Sequence, residues 1–369
     1  MILSGVGWNS DKLRLNMVGF MNSLNKGTWI ALPLVLVSLL VGCTRSGEGE
    51  NNGTNSAAST TGSAPSASGK ALKIGMVFDS GGRGDGSFND SAYAGLEKAQ
   101  KELGVEISTA DSKSEKDYET NLASQAEAGF DVIFAIGITQ MNALNAVAPK
   151  FPNVKFAIVD ADVKADNVGS LLFSEEEGSY LAGFVAAGTS KTGKIGFVGG
   201  KKIPLIEKFE AGYKAGALAA NPKIIVLPSK YTESWDDTLL GKQSAASLFG
   251  DGADVVYHAA GRCGLGVIAA AKEAKKFAIG VDSNQDDQAP GTVLTSMIKR
   301  VDVAVFNTIK DVKEGNFSAG SKVYNLKVDG VGLSDMKNTK DKVPADILGK
   351  LDSIKKDIVD GKVVVPTKL

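Results

Sequence analysis

At the ends of its short apolar runs this chain repeatedly carries acidic, amide and aromatic residues. Asp79 and the motif Asp85-Gly86-Ser87-Phe88-Asn89 follow the run 72–78, Gly137-Ile138-Thr139 follows 132–136, and Asp160-Ala161-Asp162 follows 154–159. Phe173-Ser174-Glu175, Gly199-Gly200, Trp235-Asp236, His258-Ala259-Ala260-Gly261 and Asp282-Ser283-Asn284-Gln285-Asp286 stand at comparable places further on. Carboxylates and amides accept and donate hydrogen bonds, and aromatic rings offer flat apolar faces. These residues suit the holding of a compact polar solute. No nucleophile is paired with a base, and the one histidine, His258, excludes most metal and triad arrangements.

The elements that would bring these residues together are read from β-branched runs alternating with amphipathic stretches of helical length, a βαβ pattern that calls for parallel sheets. Strands are predicted at 72–78, 105–109, 132–136, 154–159 and 168–173, with helices at 91–102, 116–128 and 140–150. The pattern then restarts, with helices at 178–189, 205–218, 237–249 and 264–274 and strands at 194–198, 224–227, 254–258 and 278–281. The fold class is therefore α/β, two doubly wound parallel-sheet lobes, and ligands of such sheets bind beyond the carboxyl ends of the strands.

Ahead of this body, residues 29–41 form an apolar run preceded by Lys26 and closed by Leu40-Val41-Gly42-Cys43. The run is too short to span a bilayer, which needs about 20 residues, and it resembles the h-region and lipobox of a bacterial lipoprotein signal. The expectation is a signal over 1–43 with its start at Met17 or Met21, lipidation at Cys43, and attachment to the outer face of a membrane. Residues 44–70 are Gly, Ser, Thr, Ala, Asn and Glu with almost nothing apolar, a composition that reads as a flexible tether. Net charge is -1, so no basic field gathers nucleic acid. Cys263 has no internal partner once Cys43 is lipidated, and nothing in the sequence calls for a cofactor or metal.

The loop Phe78-Asp79-Ser80-Gly81-Gly82 with Asp85-Gly86-Ser87-Phe88-Asn89, the segment Phe173-Ser174-Glu175-Glu176-Glu177-Gly178 with Tyr180-Leu181-Ala182-Gly183, Gly196-Phe197-Val198-Gly199-Gly200, and Ile279-Gly280-Val281-Asp282 with Leu294-Thr295-Ser296-Met297-Ile298-Lys299 together resemble the basic membrane protein family. The likeness runs in the family's order from residue 71 to about 333. It implies a substrate-binding lipoprotein of an ABC importer with the type I periplasmic-binding-protein fold, its lobes joined by a three-strand hinge, and adenosine, guanosine or inosine as ligand. The expected division is an N-terminal lobe over 71–175 completed by about 300–325, a C-terminal lobe over 176–299, and an extension over 326–369 packing on both. Partners would be the permease and the membrane, with the receptor itself a monomer.

By the same resemblance Phe88 stacks on the base, Asn89 hydrogen-bonds it, Asp282 holds ribose hydroxyls, and Asp79 and Lys299 are polar ligand contacts. Trp235 and Tyr257 both remain open as the second aromatic wall, while Asp160 and Gly261 are candidates by strand-end position alone. Each has a plainer reading: glycines that permit a turn, Asn89 or Asp90 capping a helix, Phe88 as a packing residue, Asp79 and Asp282 as turn carboxylates, Trp235 as a packed hinge residue, Lys299 as a solvated charge. Arg83-Gly84-Asp85 reads as chance rather than an adhesion motif. The glycine spacing from Gly261 to Gly266, which includes Arg262, is only a weak dinucleotide signal. A sugar receptor of the same fold and an envelope nucleoside hydrolase are the competing readings; the hydrolase lacks a visible Asp-rich metal cluster or histidine base.

Overall fold

The chain is described from residue 71 to residue 369 by a computed structural model. The expected signal, Cys43 and the tether lie outside the described residues. No helix among the described residues is long and apolar enough to cross a membrane.

The chain begins with β1 (Lys73–Val77), α1 (Phe88–Leu103), β2 (Glu106–Ala110), α2 (Tyr118–Glu127), β3 (Val132–Ile136), α3 (Met141–Val147), β4 (Lys155–Val159) and β5 (Val168–Phe173). It continues with α4 (Glu175–Thr189), β6 (Lys194–Gly199), α5 (Pro204–Ala220), β7 (Ile225–Val226), β8 (Lys230–Tyr231), α6 (Thr238–Gly250), β9 (Val255–Ala259), α7 (Cys263–Ala274), β10 (Phe277–Asp282) and β11 (Val293–Lys299). The last elements are α8 (Val301–Lys313), β12 (Gly320–Tyr324), β13 (Val331–Leu333), α9 (Ala345–Leu348) and α10 (Leu351–Val359).

The first sheet runs β12-β5-β4-β3-β1-β2, all parallel. The second runs β13-β11-β10-β9-β6-β7, with β8 also pairing β6 and only β13 antiparallel. All five residues of β3 and of β9 are buried, as helices on both faces of a parallel sheet require. The polypeptide passes between the sheets three times, at residues 173–175, 299–301 and 324–331. The crossing segments hold one another: Ser174 N–H donates to the Tyr324 carbonyl at 3.0 Å and Arg300 N–H to the Gly330 carbonyl at 2.9 Å.

Differences from the sequence reading have local causes. α1 starts three residues early because the Asp85 carboxylate accepts the N–H groups of Asn89 and Asp90, a cap that neither Asn89 nor Asp90 supplies. The helix expected at 140–150 shortens to α3, and its end tightens into a 3-10 turn containing Pro149. The strand expected at 224–227 stops short of Pro228, which has no N–H to give, and pairing with β6 resumes at β8. β13 lies within the segment expected as an extension and is an edge strand of the second sheet.

Candidate functional site

Strands β1, β3 and β4 of the first sheet and β9, β10 and β11 of the second end at one crevice, and the backbone at several of those ends adopts conformations that few residues tolerate. Gly137 after β3 has φ 109°, a value natural only to glycine. Asp160 after β4 and Asp282 at the end of β10 have φ 72° and 62°, the left-handed region in which Asp and Asn are the commonest non-glycine residues. The turn swings each carboxylate over the end of its sheet. Asp79, Phe88, Asn89, Gly137, Asp160, Trp235, Gly261, Asp282 and Lys299 line one cavity, together with Asp85, Ile138, Leu205, Ile206 and Phe209. About 580 Å³ of non-atom space lies among these residues, the open solvent of the mouth included.

On the first lobe, Asp79 Oδ1 accepts the Gly81 N–H and the Asn89 amide nitrogen, both at 2.9 Å. That nitrogen also reaches Asp85 at 3.1 Å. Because carboxylates only accept, Asn89 must turn its nitrogen to them, and its buried Oδ1 is left without a partner among the described residues. Burial pushes Asp79 up to about 6, against the lowering effect of the Asn89 hydrogen bond. Phe88, half-buried beside Gly137, carries its ring into the crevice from the same loop.

On the second lobe, Asp282 Oδ2 accepts from Ser87 Oγ of the facing lobe at 2.6 Å. Burial pushes Asp282 up to about 7, with the Lys299 charge pulling the other way. Lys299 is 1% exposed and pairs with Asp160 at 2.7 Å and Glu175 at 3.0 Å. Burial alone would lower it, yet Asp160, Glu175 and Asp282 hold it above its ordinary value, so the ammonium persists. Its Nζ also lies 5.3 Å from the Phe88 ring centre and 5.5 Å from that of Phe209. Lys299 is therefore a buried counter-charge rather than a solvated residue. Trp235 packs its ring on Gly200, and its buried Nε1–H has no partner among the described residues.

Tyr257 is the exception among the residues singled out from sequence. It is fully buried in the core, its hydroxyl shares a hydrogen bond with Ser179 at 3.1 Å, and its ring packs on Tyr213 and Phe197. The alternation of β9 explains this: Tyr257 projects from the face of the sheet covered by α4 and α5, not from the strand end. His258, on the opposite face, is also buried; burial lowers it to about 4, and Nε2 meets Gln285 Oε1 at 3.0 Å. Phe209, like Leu205 and Ile206 beside it, is a crevice residue the sequence reading missed. It lies in α5 rather than after a strand, and the signal for it was the helical spacing of Leu205, Ile206 and Phe209 along one face.

Known proteins share this architecture. The CD4+ T-cell-stimulating antigen of Listeria monocytogenes is 41% identical, over 82% of this chain and 90% of its own length. The ABC transporter nucleoside-binding protein BmpA of Lactococcus lactis is 37% identical, over 92% of this chain and 97% of its own. A crystal structure of an ABC transporter solute-binding protein from Aeropyrum pernix K1 is similar with a TM-score of 0.74 and 33% identity, covering 80% of this chain and 94% of that one. The family model described as ABC transporter substrate-binding protein PnrA-like matches residues 72–368. From its first strand to its last helix, this chain belongs to that family of substrate-binding proteins.

Proposed function

We propose that this protein captures a purine nucleoside between its lobes and delivers it, unbroken, to a membrane permease. One observation carries the reading: the crevice combines flat apolar rings, Phe88 from one lobe and Phe209 and Trp235 from the other, with unpaired or acceptor-rich polar atoms at Asn89, Asp79 and Asp282. A purine has two π-faces and an edge of hydrogen-bonding groups, and a ribose has vicinal hydroxyls that one carboxylate can accept together. Phe88 and Asn89 suit the base and Asp282 suits the ribose, with Asp79 a second acceptor for the base. Asp160 and Lys299 act as a buried pair that sets the charge of the floor, and Gly261 gives the ligand close approach to backbone. The naming of the Lactococcus lactis relative as nucleoside-binding supports the same ligand class. Anchorage through Cys43 at the outer face of a membrane belongs to this reading, as does a monomeric receptor.

Titration calorimetry with adenosine, guanosine, inosine, cytidine, ribose and glucose tests it. Binding of purine nucleosides in preference to the sugars is expected, with chromatography of the mixture returning intact nucleoside. Tighter binding of a monosaccharide, or release of free base, would overturn the proposal.

A further inference from the structure

Residues 81–87 form a loop that faces two ways. Its N–H groups are taken by the first lobe: Gly81 donates to Asp79 at 2.9 Å, Gly84 and Gly86 donate to Asp90 at 2.8 and 2.7 Å, and Ser87 donates to Asp85 at 2.9 Å. Its carbonyls are turned outward by left-handed glycines at 82, 84 and 86 and are taken by the second lobe. Arg262 Nε donates to the Gly81 carbonyl at 3.2 Å and its Nη2 to that of Arg83. Gln285 Nε2 donates to the Gly86 carbonyl at 3.0 Å, and Ser283 Oγ to that of Ser87 at 2.9 Å. The Arg83 side chain lies away from this contact, over the Tyr93 ring. Arg262 and Gln285 are absent from the cavity wall, so the ligand does not explain them.

We propose that Arg262 and Gln285 are positioning residues that latch this loop to the second lobe, fixing Phe88 and Asn89 at its end and setting how slowly bound solute escapes. The inference rests on the reading of the crevice as a nucleoside site closed by its lobes. Both donors act on backbone carbonyls, so the latch engages only when the lobes meet and contributes nothing to the separated state. Arg262 makes no side-chain bond within its own lobe, which makes Arg262→Ala the clean variant. Gln285 also accepts the Val281 N–H at 2.9 Å and faces His258. For that reason Gln285→Glu, which keeps the accepting oxygen and removes the donor, is preferred to alanine.

The test is stopped-flow binding and release of guanosine and inosine by the full protein and both variants, with hydrogen–deuterium exchange of residues 81–87 alongside. Each variant is expected to release solute about 10- to 100-fold faster, to associate within about threefold of the parent rate, and to exchange faster in this loop. Arg262→Lys should recover part of the difference, and the ligand-free melting temperature should not move in Arg262→Ala. If the parent binds nucleoside while release and exchange are unchanged in both variants, the latch is overturned and the nucleoside reading stands. If the parent binds no nucleoside but binds ribose or glucose, the nucleoside reading falls, and the latch stands only if both variants release that sugar faster. Slower association with unchanged release would also overturn the latch, because the two residues would then act in the open form.

Discussion

Lys299 and Asp160 meet at 2.7 Å although one ends β11 of the second sheet and the other follows β4 of the first. The pair joins the two lobes at the floor of the crevice, and Glu175, 3.0 Å from the same ammonium, opens α4 just after the first crossing. One cation thus faces two carboxylates, with Lys208 paired to the outer oxygen of Glu175 at 3.0 Å. In so dry a setting charges persist only as a set, since each one is costly without its partner.

Replacing Lys299 by Met should therefore destabilise the fold by about 3–5 kcal/mol, the usual penalty of leaving buried carboxylates uncompensated. Urea unfolding measures it. Adding Asp160→Asn to the same chain should return part of the loss. A change below about 1 kcal/mol in the single variant, the scale of a surface substitution, would mean that water already reaches the pair.

Phe88→Ala should cost about 1–3 kcal/mol of nucleoside affinity through lost stacking, with the melting temperature of the ligand-free protein nearly unchanged because the ring is only half-buried. Phe209→Ala is the control for the facing wall. Calorimetry that finds a loss for Phe88 and none for Phe209 would assign the facing wall to Trp235, whereas unchanged affinity in Phe88→Ala would remove that ring from the site.

Gly200 offers an indirect test of Trp235. A Cβ at this position would lie 2.2 Å from the Trp235 ring, so Gly200→Ala must push the indole away from its seat. Overpacking of this kind costs about 1–3 kcal/mol, and here it falls on a ring that lines the crevice. Trp235 is the only tryptophan beyond residue 29. Its fluorescence should shift in the variant and nucleoside affinity should fall with it; a spectral shift with full affinity would exclude Trp235 from ligand contact.

Much of this site was legible because parallel sheets put their chemistry at strand ends, and strand ends can be read from where apolar runs stop. Asp79, Asp160 and Asp282 were found that way, and the left-handed backbone at the last two explains why Asp suits these turns. The βαβ alternation gave both lobes. Tyr257 misled because it lies one residue before His258 at a strand end, and only its face on the pleat decides whether it meets ligand or core. Helical spacing sets Phe209 on one face with Leu205 and Ile206, but that this face meets the crevice, and which carboxylates meet Lys299, depends on which helix covers which sheet. The same is true of Arg262, whose glycine-rich surroundings are explained by close helix contacts, such as Gly264 against His258, rather than by phosphate binding.

Asp282 makes the site sensitive to pH near neutrality. Burial holds it near 7 in the folded chain against an ordinary value of 3.8, so between these values the native state keeps a proton that the unfolded chain has released. Stability then falls as pH rises through this window, because the native state binds more protons than the unfolded one. Asp282→Asn removes the ionisable group and should stabilise the ligand-free protein at pH 8 by roughly 2–4 kcal/mol, with the gain vanishing toward pH 4. A shallower slope should remain from Asp79, which is raised to about 6 by the same cause. Binding runs the other way. Ribose hydroxyls donate to the ionised carboxylate, so parent affinity should strengthen from pH 6 to pH 8, while the asparagine variant binds weakly and without that trend. Thermal melts and calorimetry across this range check both halves, and a parent affinity that stays flat from pH 6 to 8 would rule out Asp282 as the hydroxyl acceptor.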